Sequence, residues 1–455
     1  MLFKSNFVKV DAMIETSNKV TAVYGSIAIN SQLAFQRSNR PTRLRRALII
    51  SGCTTGLTAL VALLGCSGDS STTPASTPIA TTPAPAPAPA PTAPVGNLTV
   101  NVGISAASQT PSALLDIFAN ADAAGMVFDK WTGDTSVLLT PGERRSGTIA
   151  FSGDKSVTAT YKSLAAFVPQ IAVINGAGSS AVSAYWYFPQ SLLKGVIFRF
   201  HGKGGNGGSQ FQKIEESKFV RDAVGDGFAV VSLDSQDRVS KTWDSTVNVS
   251  NSSANSDVAN ILGLINNFKS QNLMTASTPI FGSGHSDGAG AALRFSYLLT
   301  WRASHQHDVP GPTQLAQATT VPGIWTMSQN DTREDPSRNA SALTNSNILA
   351  ARNIATQYIL MAPSAVYPLR FTQIPTITAA DSQAIYNAFK AAGILDANNY
   401  QVRDPFDVNF APLIPAAFSS KENEIVDQLN VAYASHQFQS ASNRRVLEFF
   451  KSRLP

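Results

Sequence analysis

The chain has 455 residues with 43% hydrophobic content, ordinary for a globular protein and too long for one typical domain. Its formal charge of +5 hints at nucleic acid, yet eight basic residues fall in the first 65 positions against two acids there, so the remainder is nearly neutral. A near-neutral body has no electrostatic footprint for phosphate backbones, which argues against a nucleic-acid partner. Both cysteines, Cys53 and Cys66, also lie in this leader, so the rest of the chain has neither a disulfide nor a Cys-based metal site.

The leader (residues 1–66) carries Arg40, Arg43, Arg45 and Arg46, followed by an uncharged run from Ala47 to Gly65. A basic segment, an apolar segment and then small residues form an export signal. Leu63-Leu64-Gly65-Cys66 resembles a bacterial lipobox. That resemblance implies a lipid anchor at Cys66 and an exported protein, either an outer-membrane or cell-surface lipoprotein or a secreted one. Ile50-Ser51-Gly52-Cys53 fits the local pattern better, but only four apolar residues separate Cys53 from the arginines. A retained transmembrane helix is the alternative, the run being close to the ~20 residues a span requires. Residues 67–95 are Ser/Thr-rich and then alternate Ala with Pro, from Pro83 to Pro91. Each proline locks φ and removes a donor, so this linker is predicted to be extended and semi-rigid.

Residues 96–163 read as a small β module. Leu98, Val100, Val102 and Ile104 alternate with other residues, as do Val157, Ala159 and Tyr161, the period of a half-buried strand. Phe128-Asp129-Lys130-Trp131-Thr132-Gly133, with a closing Lys155–Tyr161 strand, resembles bacterial extracellular repeat modules. The resemblance implies a β-sandwich spacer. Trp131 is expected in its core, with a ligand platform as the alternative.

From residue 164 onward strands alternate with helices, which predicts an α/β fold with a mostly parallel sheet. Tyr185–Phe188, Val196–Phe200, Phe228–Leu233 and Pro279–Gly282 read as strands, and Val258, Ile261, Leu262 and Ile265 fall at helical spacing. The fourth strand runs into Gly284-His285-Ser286-Asp287-Gly288 and then an Ala/Gly-rich helix. A sharp strand-to-helix turn of this kind exposes a serine at the sheet edge, with the positive end of the helix behind it. Val196–Phe200 leads into His201-Gly202-Lys203-Gly204-Gly205. A phosphate cradle is excluded there, because Gly204 stands where such a loop needs Ser or Thr after its Lys.

The serine turn and the His-Gly loop together resemble the α/β hydrolases, nearest to esterases like dienelactone hydrolase and polyhydroxybutyrate depolymerase, over residues 164–455. The resemblance implies Ser286 as nucleophile, with an oxyanion hole built from amides near Gly202 or Lys203 and at Asp287. His436, before an apolar terminal helix, stands where that family has its base. Asp331 stands in the loop after an Ile324–Met327 strand, where the family has its acid, with Asp335 and Glu334 as rivals. The order Ser286, Asp331, His436 matches the family order. Such a triad cleaves esters by acyl transfer and requires no metal or organic cofactor. The long acid-to-base interval predicts an inserted cap at about 340–425. Two rivals remain: a serine peptidase of the prolyl-oligopeptidase type, and a catalytically silent surface binding protein.

Overall fold

In the computed structural model the described residues are 96–455, apart from 106–114, 124, 140–141, 143–144, 165–166, 176–180 and 191–192. The expected signal, its Cys53 and Cys66, and the linker therefore lie outside the described residues. The first elements are strands β1 (Leu98–Asn101), β2 (Gly103–Ser105), β3 (Leu115–Ala119), β4 (Met126–Gly133), β5 (Ser146–Ile149) and β6 (Lys155–Ser163). They form two three-stranded sheets, β1-β6-β4 and β2-β3-β5. Leu115, Ile117, Phe128, Trp131, Ile149 and Val157 make one buried cluster between them. Trp131 is 2% exposed, so it fills a core and offers no platform.

These strands do not stand apart as a spacer. Val127 joins a core cluster with Phe219 and Val220 of the following body, and Phe118 stacks on Tyr367 with centroids 4.0 Å apart. Lys162 pairs with Asp226 at 2.6 Å and Arg444 reaches the same carboxyl at 2.8 Å. Burial alone would raise Asp226, but these two cations pull it down to about 2.

The body continues with β7 (Gln170–Asn175), β8 (Ala181–Tyr187), β9 (Gly195–Phe200), α1 (Ser209–Gln212), α2 (Ile214–Gly225), β10 (Phe228–Leu233), α3 (Ser256–Ser270) and β11 (Ile280–His285). Then come α4 (Asp287–Leu298), β12 (Ala303–His307), α5 (Thr313–Ala318), β13 (Gly323–Ser328), α6 (Arg338–Ala351) and β14 (Thr356–Met361). Helices α7 (Ala379–Ala391), α8 (Glu422–Tyr433) and α9 (Asn443–Lys451) complete it. Along β9, Val196, Phe198 and Phe200 pack against α3 and α4, while Ile197 packs against α2 and α9. Both faces of the strand are thus buried, which is why it reads as a continuous apolar run and not as an alternation.

One eight-stranded sheet runs β7-β8-β10-β9-β11-β12-β13-β14, with β8 antiparallel to its neighbours and every other pairing parallel. Counted from β7, the order is 1-2-4-3-5-6-7-8. That is the α/β-hydrolase fold. The predicted cap at 340–425 needs correction at its start, because α6 and β14 belong to the sheet layer. Ile359 and Met361 of β14 lie in the sheet core, and α6 packs on β13 through Leu349 and Trp325. The inserted segment is 362–421. It has its own core of Val366, Phe371, Ile385, Phe389 and Phe410, which packs against α8 and Ile214.

Candidate active site

The loops that matter follow the carboxyl ends of β9, β11, β12 and β13, the edge where open α/β sheets bind ligands. Ser286 sits between β11 and α4 with φ 58° and ψ −128°. A non-glycine residue there stores strain of ~1–2 kcal/mol. The turn closes only because its flanks lack side chains: a Cβ on Gly284 would meet the Gly288 carbonyl, and one on Gly288 the Phe200 carbonyl. The Ser286 amide is held by the His307 carbonyl at 3.0 Å.

Ser286 Oγ lies 2.8 Å from His436 Nε2, and His436 Nδ1 lies 2.7 Å from Asp331 Oδ2. The three residues singled out from sequence are therefore brought into one relay. Asp331 is 3% exposed, at the floor of its loop. The rivals are elsewhere: Glu334 is exposed and pairs with Arg338, and Asp335 is exposed and accepts from the Ser337 amide at the start of α6. Asn330 joins the two loops. Its amide donates to the Ala434 carbonyl at 2.9 Å and its side chain to the Tyr433 carbonyl at 2.7 Å.

Two turns place the amides expected from sequence to meet an oxyanion. A Cβ on Gly202 would come within 3.1 Å of Ser286 Cβ, so a larger residue would push the β9 loop and the serine apart by a few tenths of an ångström. Lys203 and Gly204 form the outer turn, Gly204 with φ 77°, and the Lys203 side chain is exposed. Asp287 opens α4, so its amide is one of the free donors at a helix start. Its carboxylate turns away to accept from the Trp243 amide at 3.1 Å. His201 serves as a brace for this loop: its Nε2 accepts from the Ser235 amide, and Trp243 Nε1 donates to its carbonyl at 2.8 Å.

Three features escaped the sequence. Arg338, the first residue of α6, donates to both Asp331 oxygens at 3.0 and 3.2 Å and lies 3.1 Å from His436 Nδ1. Its one sequence signal is the i,i+4 spacing from Glu334. Asp308, directly after β12, is fully buried and accepts from the Ser328 amide at 2.8 Å, with its other oxygen 3.4 Å from His285 Nε2. Burial lifts its carboxyl to about 7, against the pull of His436. Beneath the relay runs a buried polar chain, from Arg199 to Ser283, His305, Thr326 and His307. Burial holds His285, His305 and His307 well below the ordinary histidine value, so they stay neutral.

His436 differs from these three. Burial lowers it, but the hydrogen bond to Asp331 and the charges of Asp308 and Asp331 outweigh that, and its pKa ends above the ordinary value. His285, Asp308 and His436 offer ligand atoms within 4.8 Å of one another, a grouping found once among the described residues. Both ring nitrogens of His436 are already taken by Ser286 and Asp331, so a metal there would disable the relay.

No family model matches the chain, and no curated protein matches it in sequence. Solved structures do superimpose on it at low scores. A ferulic acid esterase gives a TM-score of 0.34 at 9% identity, covering 42% of this chain and 89% of its own. An α/β serine hydrolase homologue from Coxiella burnetii gives 0.31 at 12%, covering 44% and 90%. An S-formylglutathione hydrolase from Agrobacterium tumefaciens gives 0.33 at 11%, covering 43% and 88%. Likenesses this faint decide nothing. Strand order and site geometry carry the case.

Proposed function

We propose that the protein is a serine hydrolase that cleaves carboxylic esters through an acyl-enzyme on Ser286. The supporting observation is the continuous relay Ser286–His436–Asp331, with bonds of 2.8 and 2.7 Å, on a strained turn at the sheet edge. His436 Nε2 takes the serine proton as Oγ attacks the ester carbonyl. The oxyanion is met by amides at Gly202 or Lys203 and at Asp287, each such donor being worth ~3 kcal/mol of barrier. His436 then gives its proton to the departing alkoxide, and a water activated by the same imidazole frees the acid.

Within that class we favour a small acyl ester or a polyester, in line with the resemblance to dienelactone hydrolase and polyhydroxybutyrate depolymerase-like esterases. The deciding experiment is a p-nitrophenyl ester chain-length series on the full chain, run beside peptide and polyester substrates. Turnover of peptides in preference to every ester would replace this reading with the peptidase one. No turnover of any substrate, together with no labelling by a fluorophosphonate, would favour a silent binding protein.

The pH dependence is set by His436, which acts as a base only when neutral. Its pKa lies above the ordinary value of 6.5, so kcat/KM should rise with pH through a midpoint above 6.5. A pH–rate profile with its acid limb at or below 6 would contradict the Asp331–His436 bond.

We also propose that the protein acts outside the cytoplasm, held by a lipid on Cys66. Cys66→Ala should shift it from the membrane to the soluble fraction or block its processing, whereas Cys53→Ala should do neither. Unchanged fractionation of the Cys66 variant would leave the retained helix as the anchor.

A further inference from the structure

A second concave site lies away from Ser286, at the seam between the N-terminal strands and the body. It is a cavity of about 180 Å³, open on one side, lined by Arg145, Glu215, Lys218, Arg370, Gln373 and Ser440 among others. At this size it admits a small ligand and not one of drug-like dimensions, which needs ~300 Å³ or more.

The charges in its wall are unevenly matched. Arg145 pairs with Asp122 at 2.6 Å, and Lys218 with Glu215 at 2.8 Å. Glu215 has no capacity left: one oxygen also accepts from Gln428, the other from the amide and hydroxyl of Ser440. Arg370 is 5% exposed, and no carboxylate among the described residues lies within ion-pair distance of it. Its Nε donates to the Gln428 carbonyl at 2.9 Å, its two terminal nitrogens have no hydrogen-bond partner among the described residues, and the side chain lines the cavity. Burial lowers its pKa below the ordinary arginine value, and the charge of Glu215, which is already bound by Lys218, offsets this only in part. The Nε of Arg145 in the same wall is likewise buried without a partner. Buried charge is retained when something pairs with it, and a planar guanidinium presents parallel N–H groups suited to two anion oxygens.

We propose that this cavity binds a small anion through a carboxylate or phosphate group, with Arg370 as the forked anchor and Lys218 and Arg145 supplying further positive field. The cavity wall draws on the N-terminal strands, α2, the end of β14, the 362–421 insertion, α8 and residues 439–441, just beyond His436. Occupancy therefore clamps the insertion and the segment following His436 to the body.

The test titrates the full chain with phosphate and, separately, with succinate, at constant ionic strength in sodium chloride. Calorimetry and the thermal unfolding midpoint are followed together. Saturable binding of one anion with Kd near or below ~1 mM, with a raised midpoint, is expected. A response to phosphate alone identifies a phosphate ligand, and one to succinate alone a carboxylate. Arg370→Gln should weaken binding about tenfold or more, Arg370→Lys less, and both should keep ester turnover. Should Arg370→Gln fail to fold, Lys218→Gln should still weaken binding several-fold. No saturable response of the wild type to either anion would overturn the proposal, as would wild-type affinity in Arg370→Gln or, in its place, Lys218→Gln.

Discussion

Ser286→Ala is expected to remove ester turnover by a factor on the order of 10⁶, the loss seen when a triad nucleophile is deleted. Labelling by a fluorophosphonate should vanish with it. Folding should survive, because Oγ makes one described hydrogen bond, to His436, and is not part of a packed cluster. Losing one such bond costs ~1 kcal/mol, which for a body this size moves the melting temperature by only ~2 °C. The substituted alanine keeps the same φ of 58°, so the strain of the turn is unchanged. Residual turnover above a few per cent of wild type, measured on a fluorogenic ester, would remove Ser286 from the nucleophile's place.

Asp331→Asn should cost on the order of 10⁴ in turnover, the value found for the orienting acid of a related triad. The carboxylate accepts from His436 Nδ1 and stabilises the imidazolium, and an amide does neither reliably. The substitution also strips Arg338 of its buried partner, leaving that cation 3.1 Å from Nδ1, where it further opposes protonation of the ring. Four other carboxyl or guanidinium changes serve as comparisons. Glu334→Gln and Asp335→Asn should stay within about tenfold of wild type, or ~1.4 kcal/mol of barrier, since both are exposed and neither reaches His436. Asp308→Asn should also stay within about tenfold, its carboxyl being bound to the Ser328 amide and pushed up by burial. Arg338→Gln should move the acid limb of the pH profile upward, because it removes a positive charge beside the imidazole. A crippled Asp308→Asn beside an active Asp331→Asn would transfer the acid's role from the β13 loop to the end of β12.

How far the sequence revealed this molecule depended on whether the information was local. β10 was legible to the residue, since Phe228–Leu233 is a run, apolar but for Ser232, between a glycine and an aspartate. The serine turn was legible because its requirements, two glycines and a following helix, are consecutive in the chain. β12 was not. Ala303-Ser304-His305-Gln306-His307 reads as polar and loop-like, yet every one of its residues is buried. The cost of burying His305 and His307 is met by Thr326 and the Gln439 amide, partners that come from β13 and from beyond His436. α6 and β14 were absorbed into the supposed cap for a related reason. Thr356–Met361 alternates poorly, and what makes it a strand is its parallel register with β13. Arg338 gave only its i,i+4 spacing from Glu334, because the imidazole it flanks is 98 positions away.

The clasp formed by Asn330 governs how this chain can be altered. Asp331 and His436 are 105 positions apart, yet their loops are joined by one main-chain and one side-chain bond from Asn330, the residue before the acid. The 362–421 segment therefore hangs from a closed ring whose two ends do not depend on its length. Lengthening a flexible segment in that position adds only ~0.6 kcal/mol per doubling. Surface loops of this segment can thus be lengthened or exchanged with the Asp331–His436 pair left in register, provided the core that packs against α8 is kept.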